Sequence, residues 1–448
     1  MGRKLAWGGG GVKAQTACYH PVATLRIEPS RSIRGRFRLP GDKSISHRAA
    51  LFGALAEGTT RVSNYSSAVD CESTLQCLRA LGVSVERDGA SVTVHGRGPE
   101  AWTAPDGDLD AGNSGTTLRL LTGPLAGRPF RSVLTGDESL RRRPAERVAL
   151  PLRAMGAKVV TRDGRPPLVI EGGGLRGITW EPPVASAQVK TAVLLAGLQA
   201  AGTTTVREPA PSRDHTERML PQFGVAVERS GLSATVKGGA RLRGAEIVVP
   251  GDASSAAFLV VAALVLPDSE VRLDNVLLSP TRTGFVDVLR SMGGQVEARL
   301  ETTDPEPVGS IVASSSTLHG TTVDPAVVAS LIDEVPALAV AACHAEGRFT
   351  LTDAAELRVK ESDRIATITE GLGRLGARIQ ERPDGLIIEG GSPLRGTTVA
   401  SHGDHRIAMA LAVAALAAEG ASEIEGAECV DVSFPEFFGL LEQGTGRG

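Results

Sequence analysis

The sequence predicts an α/β protein of two similar halves, each made of three βα-rich units gathered around buried helices. Three observations carry this reading. An opening motif occurs twice, as LPGDKSISHRAALFGAL from Leu39 and VPGDASSAAFLVVAAL from Val249, with Pro40, Gly41, Asp42 and Ser44 matching Pro250, Gly251, Asp252 and Ser254 at one offset. A leucine four residues before a glycine recurs six times, at Leu78/Gly82, Leu152/Gly156, Leu220/Gly224, Leu289/Gly293, Leu372/Gly376 and, more weakly, Leu440/Gly444. Finally, six segments rich in Ala, Leu and Gly lack a polar face: Ala49–Ala56, Leu118–Ala126, Val189–Ala201, Ala256–Leu266, Pro336–Ala345 and Ile407–Ala418.

Each element follows from local chemistry. The Leu-Gly signal marks a helix whose last apolar turn stops at a glycine C-cap, and a β-type run follows it directly. Alternation at Val83 and Val85, and again at Ile387 and Glu389, fits half-buried strands. The apolar segments have no face for water and belong inside a domain. A polar cluster precedes each one: GDKSISHR, GNSGTT, ASAQVK, GDASS, IDE and GDHR. Helix N-termini carry unpaired N–H groups and the positive end of the macrodipole, so six such starts favour anions. Asp252, Ser254 and Ser255 read as ordinary N-caps, because no cation accompanies them. Capping does not account for Lys43, Arg48, Lys190 or Arg406.

Composition narrows the function. Forty-eight Lys+Arg against 51 Asp+Glu give a net charge of -3, without the basic excess of a nucleic-acid binder. Ten Phe, three Trp and two Tyr are too few for base-stacking platforms. The longest apolar run, Ala256–Leu266, falls well short of the roughly 20 residues of a membrane span. The five cysteines (Cys18, Cys71, Cys77, Cys343, Cys429) form no C-x-x-C pair and read as reduced thiols of a cytoplasmic protein. Residues 1–28 lack the apolar core of a secretory signal and read as a flexible extension.

Several motifs bear chemistry. GDKSISHR is not a phosphate-binding P-loop, because Asp42 separates Gly41 from Lys43. It retains a cation pair, Lys43 and Arg48, at a helix start. GNSGTTLR offers small residues, Asn113 to Thr116, through which backbone can approach a ligand closely. Arg141–Arg143 in SLRRRPAERV are either a solvated face or forks for carboxylate and phosphate. IDEVPALAV and LRVKESDR supply the acids Asp333, Glu334, Glu361 and Asp363; two carboxylates beside cations can divide acid and base roles. His405 in GDHR is a structural hydrogen-bonder or a proton carrier. No H-E-x-x-H or G-x-S-x-G motif, and no G-x-G-x-x-G in a supporting context, points to zinc, serine-hydrolase or dinucleotide chemistry.

Together, GDKSISHRAALFGALAEG, LDAGNSGTTLRLLTG, SLRRRPAERV, ASAQVKTAVLLAGL, LRVKESDRI and GDHRIAMA resemble the 5-enolpyruvylshikimate-3-phosphate synthase family, in its class II bacterial form. The resemblance runs from Arg34 to SFPEFF. It implies the enolpyruvyl transferase fold, an inside-out α/β barrel in which each of two domains has three βαβαββ units. It places residues 29–41 with 252–448 in one discontinuous domain and 42–251 in the other. The active site then lies in the cleft between them. The implied reaction moves the enolpyruvyl group of phosphoenolpyruvate to the 5-hydroxyl of shikimate 3-phosphate, with no metal or other cofactor.

By the same resemblance, Asp333 accepts the hydroxyl proton, Glu361 protonates the methylene carbon, and Lys43 bridges both substrates. Shikimate 3-phosphate falls to Lys43, Ser44, Arg48, Ser186, Gln188, Arg213, Asp333 and Lys360. Phosphoenolpyruvate falls to Lys43, Asn113, Gly115, Arg143, Gln188, Arg364 and Arg406, with His405 assisting proton movement. A cytoplasmic monomer inhibited by glyphosate is implied as well, without nucleic-acid or membrane partners. Two positions depart from the family pattern: Val432 replaces a lysine, and Leu120 a proline that bears on glyphosate sensitivity. The alternatives are a UDP-N-acetylglucosamine enolpyruvyl transferase, which needs a reactive cysteine on a loop, and a non-catalytic anion-binding protein, which has no use for Asp333 and Glu361.

Overall fold

The computed structural model describes residues 24–446. The six apolar segments form α1 (Lys43–Leu55), α2 (Gly115–Ala126), α3 (Ala187–Gly197), α4 (Ala253–Val265), α5 (Val335–His344) and α6 (His405–Leu416). They are buried almost along their whole length, as side chains apolar on every face require. α1, α2 and α3 fill one hydrophobic core, drawn from residues between Ile45 and Val249 together with Leu277. α4, α5 and α6 fill a second, built from Ile33, Phe37, Leu39 and residues between Ala253 and Leu441. These are the first and second lobes.

Six sheets surround the helices among the described residues, four of four strands and two of three. The second unit shows the pattern. Leu109–Asp110 lies parallel to Arg131–Thr135, which pairs antiparallel with Arg165–Glu171, and that strand pairs antiparallel with Lys158–Arg162. With α2 and the helix Glu146–Met155 in between, the order is βαβαββ. At Gly82, Gly156, Gly224, Gly293 and Gly376 the backbone turns left-handed after the second helix, at the expected caps.

The sixth Leu-Gly pair behaves differently. Gly444 lies within the helix Phe437–Thr445, where a Cβ would stand 2.6 Å from Ile33 and 2.8 Å from Phe37. The left-handed cap comes later, at Gly446. The strand missing from this unit comes from the other end of the chain: Thr24–Ile27 pairs antiparallel with Ser422–Glu425. The extension expected over 1–28 therefore ends sooner, because Leu25 and Ile27 pack against the second core. Residues 1–23, Cys18 among them, lie outside the described residues.

The lobes exchange strands. Arg34–Arg38, just before α1, joins the second lobe, parallel to Glu270–Leu277. Glu246–Val248, just before α4, joins the first lobe, parallel to Glu57–Ser63. The chain must therefore cross between lobes at both Pro-Gly-Asp copies, and the crossings pair with each other. The Asp42 amide donates to the Pro250 carbonyl at 2.7 Å, and the Asp252 amide to the Pro40 carbonyl at 3.0 Å. Gly41 is obligatory here, since a Cβ would lie 1.8 Å from the Asn64 carbonyl oxygen.

Asp42 also caps α1 through the Ile45 amide at 2.9 Å and accepts from the buried Arg282 at 2.7 Å. Burial pushes its carboxyl up, but Arg282 first, then His215, the Ile45 amide and Arg213, draw it down from 3.8 to about 2. A depressed folded-state pKa gives stability that is complete above the unfolded value and fades as pH falls through the folded one. Asp42→Asn is therefore expected to cost about 2 kcal/mol at neutral pH, a penalty that shrinks between about pH 4 and pH 2. Urea unfolding across that range checks this; parallel stability profiles for the two proteins would contradict it.

Candidate active site

Because the core helices start with polar residues and point these ends at the other lobe, their N-termini line a cleft of about 840 Å³. Side-chain caps set five of these starts: Asp42 accepts from the Ile45 amide, Ser114 from Thr117, Ser186 from Val189, Asp252 from Ser254, and Asp404 from Arg406. The first turn of α1 then delivers Lys43, whose ammonium meets Asp70 at 2.8 Å. Burial lowers the Lys43 pKa, yet Asp70 outweighs it and holds the group above its ordinary value, charged. Ser44 accepts from Arg213 at 3.4 Å.

Two carboxylates stand among the cations. Asp333, just before α5, accepts from Arg213 at 2.5 Å and Arg364 at 3.3 Å, with Lys360 at 3.6 Å and Arg406 at 3.9 Å. Glu361 accepts from Arg143 at 3.1 Å and Arg364 at 2.5 Å. One guanidinium, that of Arg364, thus touches both acids, and it is anchored by Asp404 at 2.8 Å. Burial raises both carboxyl pKa values. For Asp333, Lys360, Arg406, Arg213 and Arg364 reverse this and hold it well below the carboxylate range. For Glu361, Arg364 and Arg143 do the same, with Lys43 adding to them. Both are ionised at neutral pH. Arg143 and Arg213 come from the first lobe and the acids from the second, so the cleft is complete only when both lobes contribute.

The structure brings together Lys43, Ser44, Gly115, Arg143, Ser186, Gln188, Arg213, Asp333, Lys360, Glu361, Arg364, His405 and Arg406 on the cleft wall. Arg48 is not among them. Its guanidinium lies beneath the floor, donating to the Ser44 carbonyl, Thr191 and Thr216 at 2.9 Å each. Asn113 also stands behind the wall, where its Oδ1 accepts from Arg143 at 2.6 Å. Of the three-arginine run, only Arg143 is buried. Both ring nitrogens of His405 are buried without a hydrogen-bond partner, and burial, then Lys43, keep its pKa well below the ordinary value.

Arg119 lines the cleft too, although its motif gave it no role in the sequence reading. It donates to the Gln188 amide oxygen at 2.9 Å and the Pro144 carbonyl at 3.1 Å, while the Gln188 amide donates to Thr116 at 3.0 Å. A Cβ on Gly115 would lie 2.7 Å from the Arg119 guanidinium, so this glycine keeps the anion-facing wall open. Arg282 and Asp70 drew no role from the sequence because their partners, Asp42 and Asp252 for the first and Lys43 for the second, lie far from them in the chain. The cation thought absent from the GDASS start is Arg282, which meets Asp252 at 3.2 Å. Val432, half-buried, and Leu120, buried in the first core, are not on the cleft wall. Among the described residues no cluster of His, Cys, Asp or Glu is disposed to hold a metal ion.

Residues 27–441 match the family model described as EPSP synthase (3-phosphoshikimate 1-carboxyvinyltransferase). The chain belongs to the EPSP synthase family. It is similar to the 3-phosphoshikimate 1-carboxyvinyltransferase of Brevibacillus brevis, 51% identical over 420 residues, covering 93% of this chain and 99% of that protein. The structure of EPSP synthase from Acinetobacter baumannii superposes with a TM-score of 0.84 at 46% identity, covering 94% of this chain and 98% of the other. The enolpyruvyl transferase NikO from Streptomyces tendae shares the fold, with a TM-score of 0.76 at 20% identity over 95% of this chain and 98% of its own. The chain is thus a transferase with the EPSP synthase fold. Cys71 and Cys77, which a loop thiol nucleophile would have required, are buried in a helix; burial pushes the Cys77 thiol up to about 12 and that of Cys71 higher still.

Lys190, one of the cations that capping left unexplained, does not reach the cleft wall. It is buried between Glu208 and Glu217, each at 2.7 Å. Lys190→Met strands both carboxylates and should cost about 3 to 5 kcal/mol. Denaturant titration reads the loss; an unchanged midpoint with weakened substrate binding would make Lys190 a ligand instead.

Proposed function

We propose that this cleft transfers the 1-carboxyvinyl group of phosphoenolpyruvate to the 5-hydroxyl of shikimate 3-phosphate, with Asp333 and Glu361 as the proton-transfer pair. The observation that carries the reading is the single Arg364 guanidinium spanning both acids. It sets a base and an acid on either side of one binding space lined by Lys43, Arg143 and Arg406. Asp333 takes the hydroxyl proton as that oxygen bonds to C2 of phosphoenolpyruvate. Glu361 protonates C3, and a tetrahedral intermediate results. In the second half C3 returns a proton, the C2–O bond to phosphate breaks, and phosphate leaves. Lys43 bridges both substrates, and the helix N-termini stabilise the accumulating negative charge.

Shikimate 3-phosphate is held by Lys43, Ser44, Ser186, Gln188, Arg213 and Lys360. Phosphoenolpyruvate is held by Gly115, Arg143, Gln188, Arg364 and Arg406. Arg48 and Asn113 act from behind, by fixing Ser44 and Arg143. Glyphosate competes for the phosphoenolpyruvate space. The domain boundaries follow the two cores, with 24–41 and 252–446 in one domain and 42–251 in the other, and closure of one on the other excludes water. One chain supplies both walls of the cleft, which supports action as a monomer. Unpaired thiols at Cys71, Cys77, Cys343 and Cys429 support a reducing, cytoplasmic setting.

Phosphate release from phosphoenolpyruvate, with shikimate 3-phosphate or UDP-N-acetylglucosamine as acceptor, tests the reaction. Release is expected with the first alone. Asp333→Asn should lower that release by at least about 100-fold while shikimate 3-phosphate still binds; a variant retaining near-native turnover would remove Asp333 from the base role.

Electrostatics predicts how the acid is loaded. In the free cleft Glu361 is ionised because Arg364 and Arg143 outweigh its burial. An anion that takes over those guanidinium groups raises the carboxyl pKa, so the group takes up a proton. Calorimetry of phosphoenolpyruvate binding near neutral pH, in two buffers of different ionisation enthalpy, should show net proton uptake that Glu361→Gln abolishes. Binding without uptake in the native protein would mean that Glu361 does not acquire its proton this way.

A further inference from the structure

The crossing between lobes is coupled to the cleft through one buried arginine. Arg282 lies on the segment between Glu270–Leu277 and the helix Gly284–Ser291, and is 2% exposed. Its guanidinium meets Asp42 at 2.7 Å and Asp252 at 3.2 Å, the aspartates of the two crossings, and donates to Ser254 at 2.9 Å. Ser254 in turn donates to Glu334, the buried neighbour of Asp333. The two oxygens of Asp252 divide the work. Oδ1 caps α4 at the Ser254 and Ser255 amides and receives Arg282, whereas Oδ2 accepts the backbone amide of Lys43 at 3.0 Å.

One continuous set of bonds therefore runs from the Lys43 backbone, through Asp252, Arg282 and Ser254, to the turn that carries Asp333. A stabilising clamp needs only the Arg282–aspartate pairs. The bond from Asp252 across the lobe boundary to the first residue of α1 adds something else, since it fixes where the Lys43 side chain begins. We infer that Arg282, acting through Asp252, is a positioning residue that sets the Lys43 backbone relative to Asp333 across the two lobes. This rests on Lys43 as the substrate-bridging cation of the proposed reaction. Proton transfer and attack tolerate little misplacement, and an error of about 1 Å can cost about 100-fold in rate.

Asp252→Asn isolates the coupling. An asparagine oxygen at the Oδ1 place keeps the α4 cap and the Arg282 contact, while its NH₂ at the Oδ2 place cannot accept from Lys43. Arg282→Lys and Arg282→Met form the second pair, in which lysine retains the charge. The full-length chain is assayed for kcat, KM for each substrate and thermal midpoint, with Lys43→Met alongside. The expected result is a folded Asp252→Asn protein with kcat about 10- to 100-fold lower and a smaller change in the KM for shikimate 3-phosphate. Partial recovery in Arg282→Lys relative to Arg282→Met is also expected. Native kcat in Asp252→Asn overturns the inference, whatever happens to the midpoint, and leaves Arg282 a structural clamp. If Lys43→Met itself keeps native turnover, the assignment of Lys43 fails first, and the two failures are told apart.

Discussion

Two reciprocal crossings, Pro40–Asp42 against Pro250–Asp252, are the constraint from which the rest of the molecule follows. Each lobe completes a sheet with a strand that the chain makes just before entering the other lobe. Neither sheet keeps that edge without the exchange, and an unpaired edge is costly to leave open. The exchange fixes the first turns of α1 and α4 side by side, and the helices packed with them are carried into place. The cleft lies at helix N-termini because the crossings occur there.

Placing helix N-termini and a set of arginines and lysines around one cleft creates a problem of like charge. Buried cations are tolerable only when paired, since desolvation costs several kcal/mol per ion. The chain meets this with Asp70 on Lys43, Asp404 on Arg364, and Asp333 and Glu361 shared among several partners. The last two hold the free cleft together and are also the groups proposed to move protons. Their two duties are linked: an anionic substrate competes for the cations that keep Glu361 ionised, so binding prepares the acid. A structural ion-pair network thereby becomes a device that responds to substrate charge.

Much of this was legible in the sequence because its signals are local. A helix without a polar face, a glycine four residues after a leucine, and a polar cluster at a helix start each depend on a few neighbours. They located the six core helices and the helix starts that line the cleft, while Arg213, Lys360 and the parts played by Asp333 and Glu361 came from the family resemblance. What escaped depends on contacts distant in sequence. The strand Thr24–Ile27 reads as a polar leader until its partner Ser422–Glu425 is known. Gly444 looked like a cap, yet its missing side chain serves Ile33 and Phe37, far earlier in the chain. Lys190 stayed unexplained by capping because its neutralising acids, Glu208 and Glu217, lie in a later loop and helix. Arg48 sits at the right helix start, but on the turn facing inward, where Thr191 and Thr216 hold it.

The twin Pro-Gly-Asp turns show how a duplicated element divides its labour. In the first, the turn leads into Lys43 and Ser44, which face the cleft, and Asp42 is buried as a cap. In the second, Ala253 and Ser254 follow, and α4 begins with no cation of its own. Its aspartate is then free to turn one oxygen across the boundary to the Lys43 amide and the other to Arg282. A lysine at position 253 would bring a second buried ammonium to a site whose carboxylates are already engaged. The asymmetry between the copies thus follows from charge: one helix start can present a cation to the substrates because the other has given up its own and supplies the acceptor that orients the first.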